Sequence, residues 1–205
     1  MRSLPVIIPS FPVLPLHDQS SPIPGLLAIH IRHGDFIHHC NHFSKYGSSF
    51  NGFNRFPEFV DKIDANGDGS PQTLQAYSKA CYPTIEQIMD KIREVMKTPV
   101  GSTLDRVYIM TNADNAWLMD LRKQLRTEAN WSTIATKRDL DLTPEMTYVA
   151  QAFDMMIGQR SQVFIGNGVM PFRFIPMLAR AHNCDTVFEL DLQRCHAADG
   201  AEISA

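Results

Sequence analysis

Gly25-Leu26-Leu27-Ala28-Ile29-His30-Ile31-Arg32-His33-Gly34-Asp35 is the stretch on which the fold turns. A short apolar run opened by a glycine, with polar residues gathering at its far end, reads as a strand buried on both faces, here Leu26 to Arg32. Doubly buried strands belong to parallel sheets, which need crossover helices between successive strands. The chain beyond supplies them. Pro83 and Thr84, with Gln87 three residues on, form a helix start of the capping-box kind. Ile85, Ile88, Met89, Ile92, Val95 and Met96 follow at helical spacing until Thr98-Pro99 and Gly101 end the run. Asp105 to Thr111 is a strand, and Asn112-Ala113-Asp114 turns into a helix reaching about Glu128. Trp131 to Ala135 is a short strand. Thr143-Pro144-Glu145 caps a helix whose apolar stripe is Met146, Val149, Ala150, Phe153, Met156 and Ile157. Gln162 to Gly166 is a strand, Phe172 to about Ala181 a helix, and Thr186 to Leu190 a last strand.

Strand and helix therefore alternate, which specifies an α/β fold: a Rossmann-like parallel sheet with helices on both faces. The predicted domain covers 26–192 and carries a long insertion at 33–82, rich in His, Phe, Asn, Gly and Ser and without sustained periodicity. Residues 1–25 hold six of the 13 prolines and read as a disordered lead-in, and 193–205 as a tail. Ligands of such sheets sit beyond the carboxyl ends of the strands. That rule selects Arg32-His33-Gly34-Asp35, Thr111-Asn112-Ala113-Asp114, the Trp131–Thr136 end and Gly166-Asn167-Gly168.

Composition narrows the function. In 205 residues, 44% are hydrophobic and 20% charged, which excludes a wholly disordered, collagen-like or coiled-coil chain. A net charge of −3, from 19 Lys+Arg against 22 Asp+Glu, argues against nucleic acid as the main partner. No apolar run is long enough for a transmembrane segment, and Pro5, Pro9, Pro12 and Pro15 interrupt the stretch after Met1-Arg2-Ser3 where a signal peptide wants continuity. Cys40, Cys81, Cys184 and Cys195 form no CxxC pair, and three pairings stay open. Cys40 and Cys81 bracket the insertion; in a secretory chain a bridge between them would close it. Asn130-Trp131-Ser132 fits the N-glycosylation pattern, which matters only in such a chain.

Among candidate site residues Arg32 leads. A guanidinium at a strand end projects into the crevice, stays charged at any working pH and grips a diphosphate bidentately. If the bond to that diphosphate breaks, the leaving group gains negative charge and a fixed cation is worth more in the transition state than in the ground state. The structural alternative is an ordinary ion pair, for instance with Asp35. Asp35 itself is read as a turn-capping or orienting group and is assigned no catalysis.

His30-Ile31-Arg32-His33-Gly34-Asp35-Phe36 resembles the His-x-Arg-Arg-Gly-Asp-Phe segment of the protein O-fucosyltransferase family. Asp154, then Phe164-Ile165-Gly166-Asn167, then Phe172 resemble that family's Asp, Phe-Ile-Gly-Asn and Ser-Ser-Phe at compatible spacing. Tyr108-Ile109-Met110-Thr111-Asn112-Ala113-Asp114 is similar to the strand and turn between those blocks, so the likeness covers roughly 26–182. The resemblance implies one half of a GT-B architecture, the donor-binding half of an inverting, metal-independent glycosyltransferase that uses GDP-fucose, needs no cofactor, acts on a protein or glycan acceptor and works in the secretory pathway (ER/Golgi). It implies that Arg32 binds the diphosphate and stabilises departing GDP, that His30 lines the nucleotide pocket, that Asp154 accepts from guanine, and that Gly166, Asn167 and Phe172 form the phosphate-side turn and helix.

Two departures stand out. Met170 and Pro171 replace the family's paired serines, and each lost charged hydrogen bond costs ~1.5–3 kcal/mol of donor binding. Only the Pro-rich segment precedes Leu26, where the family has its acceptor domain. These motivate a second expectation, a catalytically inactive GDP-sugar-binding or pseudoenzyme fragment. A third, another Rossmann-like nucleotide-sugar protein, is open; an NAD enzyme is disfavoured because no Gly-x-Gly-x-x-Gly follows a strand. Asp64-Ala65-Asn66-Gly67-Asp68-Gly69 matches the front of a calcium loop, but Gln75 stands where Glu belongs and a polar turn is the better reading. His38, His39, Cys40 and His42 match no common zinc spacing, and no metal site is predicted.

Overall fold

The computed structural model describes residues 22–47, 67–166 and 187–189. Strand β1 (Ile23–Ile31) lies at the centre of a five-stranded sheet, between β2 (Arg106–Thr111) and β4 (Ser161–Gly166). β3 (Thr133–Thr136) and β5 (Val187–Glu189) complete the order β3-β2-β1-β4-β5, with every pair parallel. The chain thus winds outward from β1 in one direction and then returns to wind outward in the other, and the reversal opens a crevice between the carboxyl ends of β1 and β4.

Helix α1 (Ile37–Tyr46) follows β1, then α2 (Pro71–Cys81) and α3 (Ile85–Met96) lead to β2. α4 (Asn115–Glu128) joins β2 to β3, and α5 (Pro144–Tyr148) with α6 (Ala150–Arg160) joins β3 to β4. Side chains on a strand alternate between faces, and the core splits accordingly. Leu27, Ile29 and Ile31 pack with Val107, Ile109, Val163 and Ile165 under Ile88, Ile92, Leu121 and Leu125 of α3 and α4. Leu26 and Ala28 pack with Tyr108, Met110 and Phe164 under Ile157 of α6. The capping box read at Thr84 is present: Gln87 N–H donates to Thr84 Oγ1 at 3.3 Å and Thr84 N–H to Gln87 Oε1 at 2.8 Å.

Several boundaries differ from the sequence expectation. β1 begins at Ile23, so the ordered domain takes in the end of the segment read as lead-in, and it ends at Ile31, one residue before Arg32. Gly25 does not open the strand but bends it. Its φ of 75° accompanies a register shift between Ile23 and Leu27, and a Cβ there would stand 2.2 Å from Asp105 Oδ1. Its N–H donates to Gln162 Oε1 at 2.7 Å while its carbonyl accepts from Asp105 N–H at 2.9 Å. β3 starts two residues later than expected because Trp131 N–H closes a turn onto Ala129 and Ser132 bonds Asp105.

The 33–82 insertion contains helices on both sides of its centre. A disulfide joins Cys40 on α1 to Cys81 on α2, with Cα atoms 6.0 Å apart, and both cysteines are fully buried among Phe36, Phe43 and Tyr82. Closing a loop of 41 residues this way is worth ~4 kcal/mol by loop entropy. Phe36, Cys40 and Phe43 do recur at helical spacing, but the intervening histidines mask the period. The helix read from Thr143 onward is two helices that break at Val149, whose φ and ψ are −108° and 16°. Of the expected stripe Ile157 is buried while Val149 and Met156 are exposed, and α6 turns Asp154 and Gly158 inward beside Ile157. The reason is Gly158, where a Cβ would lie 3.3 Å from both Met110 Cε and Phe164 Cε2, so α6 sits close on the sheet and Asp154 reaches Tyr108. The expected helix from Phe172, the Gly168 turn and the 193–205 tail lie outside the described residues.

Candidate functional site

The crevice beside β1 is built from residues that leave the sheet on either side of the reversal. His30 is 9% exposed and pairs in register with Gly166, the last residue of β4. Burial, and after it the positive charge of Arg32, lowers the His30 pKa to about 4, so its imidazole is neutral at physiological pH, with one nitrogen donating and the other accepting. Arg32, half-buried, stands immediately past β1, and its guanidinium carbon is 5.6 Å from the centre of the Phe36 ring.

The exit from β1 is clamped by side chains that sequence spacing does not connect. His33 N–H donates to Asn112 Oδ1 at 2.7 Å. The chain then turns through Gly34 at φ 62°, where a Cβ would stand 3.2 Å from Asn112 Nδ2. The His33 ring lies between Tyr82 and Trp117, with centroids 4.2 and 4.4 Å away, and its Nδ1 is 3.0 Å from Tyr82 Oη. Partial burial lowers its pKa while Asp114 pulls the other way. Asp114 in turn caps α4, accepting from Trp117 N–H at 2.8 Å. Arg32 therefore projects from a turn bolted to the exit of β2. Reading strand ends singled out both turns, but nothing in the sequence joins Tyr82 and Trp117 to them.

Asp154 lies deeper. It is 7% exposed and accepts from Tyr108 Oη at 2.8 Å. Burial raises its pKa, against which the Tyr108 hydrogen bond and the charge of Lys137 act. It belongs to the same side of the sheet as His30, one turn in from the end of α6 that faces the carboxyl edge. Of the six residues expected in the site, then, the fold brings His30, Arg32 and Gly166 together at the crevice and sets Asp154 beneath it. Asn167 and Phe172, with Met170 and Pro171, lie outside the described residues, as does the Asp35 side chain.

Of the metal candidates, Cys40 is committed to the disulfide. Asp68 serves a turn, its Oδ1 accepting from Ser70 N–H at 2.9 Å and Thr73 Oγ1 at 2.8 Å as α2 begins; Asp64 and Asn66 lie outside the described residues. Among the described residues no three His, Cys, Asp or Glu side chains gather to hold a metal ion, and no helix is long and apolar enough to cross a membrane.

The fold is shared with solved structures of POFUT1. The form in complex with GDP-fucose superposes with a TM-score of 0.53 at 16% identity, over 85% of this chain and 43% of its own. The complex with GDP gives 0.51 at 17% identity, over 84% and 45%. The apo-form gives 0.50 at 18% identity, over 84% and 43%. At these identities the likeness speaks for the fold alone, a Rossmann-like α/β domain that forms half of a GT-B architecture, and the chain spans less than half the length of those proteins. No curated protein sequence matches it. The family model for GDP-fucose protein O-fucosyltransferases, however, matches residues 21–182, which takes in β1, the clamped exit turn, Asp154 and the end of β4; the chain belongs to the GDP-fucose protein O-fucosyltransferase family.

Proposed function

We propose that this domain binds GDP-fucose at the β1/β4 crevice and supports inverting transfer of fucose to a hydroxyl of a protein or glycan acceptor without a metal ion. The observation that carries the reading is the placement of Arg32 one residue past β1, on a turn fixed by Asn112, beside the reversal of strand order. As the bond from the sugar's anomeric carbon to the β-phosphate lengthens, negative charge accumulates on the diphosphate. A permanent guanidinium there stabilises that charge without a proton transfer. Acceptor hydroxyls are weak nucleophiles, so the remaining contribution is positioning. His30, neutral, lines the pocket as a hydrogen-bonding group and adds no charge that would compete with Arg32. Tyr108 occupies Oδ1 of Asp154, which leaves Oδ2 for the guanine contact. Gly166 ends β4 beside His30, and the family motif assigns Asn167 and Phe172 to the phosphates.

Calorimetry with GDP and GDP-fucose tests this. Arg32→Ala weakens GDP binding at least tenfold, as expected for loss of a charge-assisted contact worth about 1.5–3 kcal/mol. Wild-type affinity in the variant would sink the proposal. The replacement of the family's serine pair by Met170 and Pro171 favours a second reading, GDP-sugar binding without turnover. Release of fucose from GDP-fucose, followed alongside binding, separates the two.

A further inference from the structure

The sequence contains one Asn-x-Ser/Thr triplet, Asn130-Trp131-Ser132, and nothing in the donor crevice uses it. The structure puts it in the connection between α4 and β3. Asn130 is exposed, whereas the residues around it are anchored: Trp131 packs against the main core, and Ser132 donates from N–H and from Oγ to the Asp105 carbonyl at 2.7 and 2.9 Å. α4 carries the chain from the carboxyl end of β2 back to the amino end of β3, so this connection lies at the edge of the sheet opposite Arg32. Among the described residues β3 is also the last strand on its side of the sheet. An independent observation supports the setting: a buried disulfide such as Cys40–Cys81 is characteristic of an oxidising compartment, in which such triplets are modified.

We propose that Asn130 carries an N-linked oligosaccharide. In that transfer the Asn130 amide nitrogen bonds to the anomeric carbon of an oligosaccharide held on a lipid diphosphate. The carbon–oxygen bond to the diphosphate breaks, the lipid diphosphate leaves, and the amide gives up one proton. The folded chain holds the Ser132 hydroxyl on Asp105, so the transfer takes place before β3 pairs with β2. The finished fold then accommodates the product, because Asn130 points to solvent and a bulky hydrophilic chain there needs no rearrangement. It stands three residues before an edge strand and screens that edge from pairing with another molecule. This inference does not depend on the donor reading.

The test is expression of the full chain behind a cleavable secretory leader in eukaryotic cells, with total lysate and medium both analysed. Wild type loses mass on treatment with peptide N-glycosidase, Asn130→Gln migrates with the treated wild type, and Ser132→Thr, which keeps the triplet, stays sensitive to the enzyme. A wild-type chain that reaches the compartment, forms the Cys40–Cys81 bridge and yet shows no enzyme-sensitive mass overturns the proposal. Glycosylated wild type and Asn130→Gln bind GDP within twofold of each other. A larger gap would overturn the placement of the glycan away from the crevice, whereas failure of both to bind GDP would count only against the donor reading.

Discussion

The two faces of the sheet are built by the same strands and differ in what they bury. Under α3 and α4 the core that β1, β2 and β4 contribute is aliphatic: Leu27, Ile29, Ile31, Val107, Ile109, Val163 and Ile165. Lys91, the buried charged residue on α3, reaches outward to the exposed Glu94 at 2.9 Å. Under α6 the same strands present His30 and Tyr108, and the helix adds Asp154. Burying apolar surface stabilises the fold by roughly 25 cal/mol per Å². Burying an imidazole and a carboxylate costs free energy unless each is fully satisfied. A face kept for stability alone has no use for the second arrangement. On the polar face His30 pairs with Gly166 at the strand reversal, so part of that energetic cost falls at the crevice.

The largest effect belongs to the aliphatic face. Leu27 is fully buried and pairs with Val107 and Val163. Leu27→Ala costs about 4 kcal/mol in urea unfolding, in the upper part of the range, where a cavity cannot collapse. The loss is the same at acid and neutral pH because no ionisable group lines that cavity. A cost that changes with pH would mean that the two faces are not electrically separate.

On the polar face the next effect depends on pH. His30 has a folded pKa of about 4 against 6.5 unfolded, so folding favours its neutral form. The stability is fully present above pH 6.5 and is lost as pH falls toward 4, where the unfolded chain takes up a proton that the folded chain refuses. The two values bound the loss at ~3 kcal/mol. His30→Gln removes this slope from a pH series of unfolding midpoints. An unchanged slope would place the acid sensitivity elsewhere.

How much of this was readable beforehand follows the same division. The aliphatic face is legible because the mostly apolar run Leu26–Ile31, with Leu27, Ile29 and Ile31 on that face, and the Ile85–Met96 period have one physical outcome, a covered parallel strand and the helix above it. The alternation specifies the Rossmann-like sheet, strand ends select Arg32 and Gly166 as places to look, and His30 enters only through the family resemblance. What was misread sits where tertiary bonds override local pattern. α6 seats Ile157 of the expected stripe but leaves Met156 exposed, since one buried hydrogen bond at Asp154 and one close approach at Gly158 set its rotation on the sheet. α1 and α2 were hidden because their shared core is a covalent bond between residues 41 apart, which no local window contains. The clamp of His33, Tyr82, Asn112 and Trp117 was equally out of reach, being assembled by the sheet register of β1 against β2.

A smaller effect isolates the buried pair. Tyr108→Phe deletes the donor to Asp154 and leaves the carboxylate less satisfied, a loss of about 1–3 kcal/mol at neutral pH. Burial already raises the Asp154 pKa, and removal of a bond to its charged form raises it further. A carboxyl whose folded pKa exceeds its unfolded value is a liability above that folded value, relieved as pH falls through it. The penalty of Tyr108→Phe therefore shrinks on acidification, opposite in sign to the His30 slope, and denaturant titrations at several pH values distinguish the two. A penalty independent of pH would indicate that the lost hydroxyl matters for packing alone.

The smallest effect asks whether Arg32 belongs electrically to the polar face at all. Burial is the larger cause of the low His30 pKa and the Arg32 charge the smaller, so Arg32→Ala raises that pKa only part of the way toward 6.5. NMR titration of the His30 imidazole reads this directly, without reference to stability. GDP provides the complementary measurement: a diphosphate seated on Arg32 cancels its field, so saturating GDP moves the wild-type imidazole in the same direction as the mutation. A His30 that titrates identically in wild type, in Arg32→Ala and with GDP bound would mean that the guanidinium and the imidazole do not share a crevice, and the polar face would lose its connection to the diphosphate.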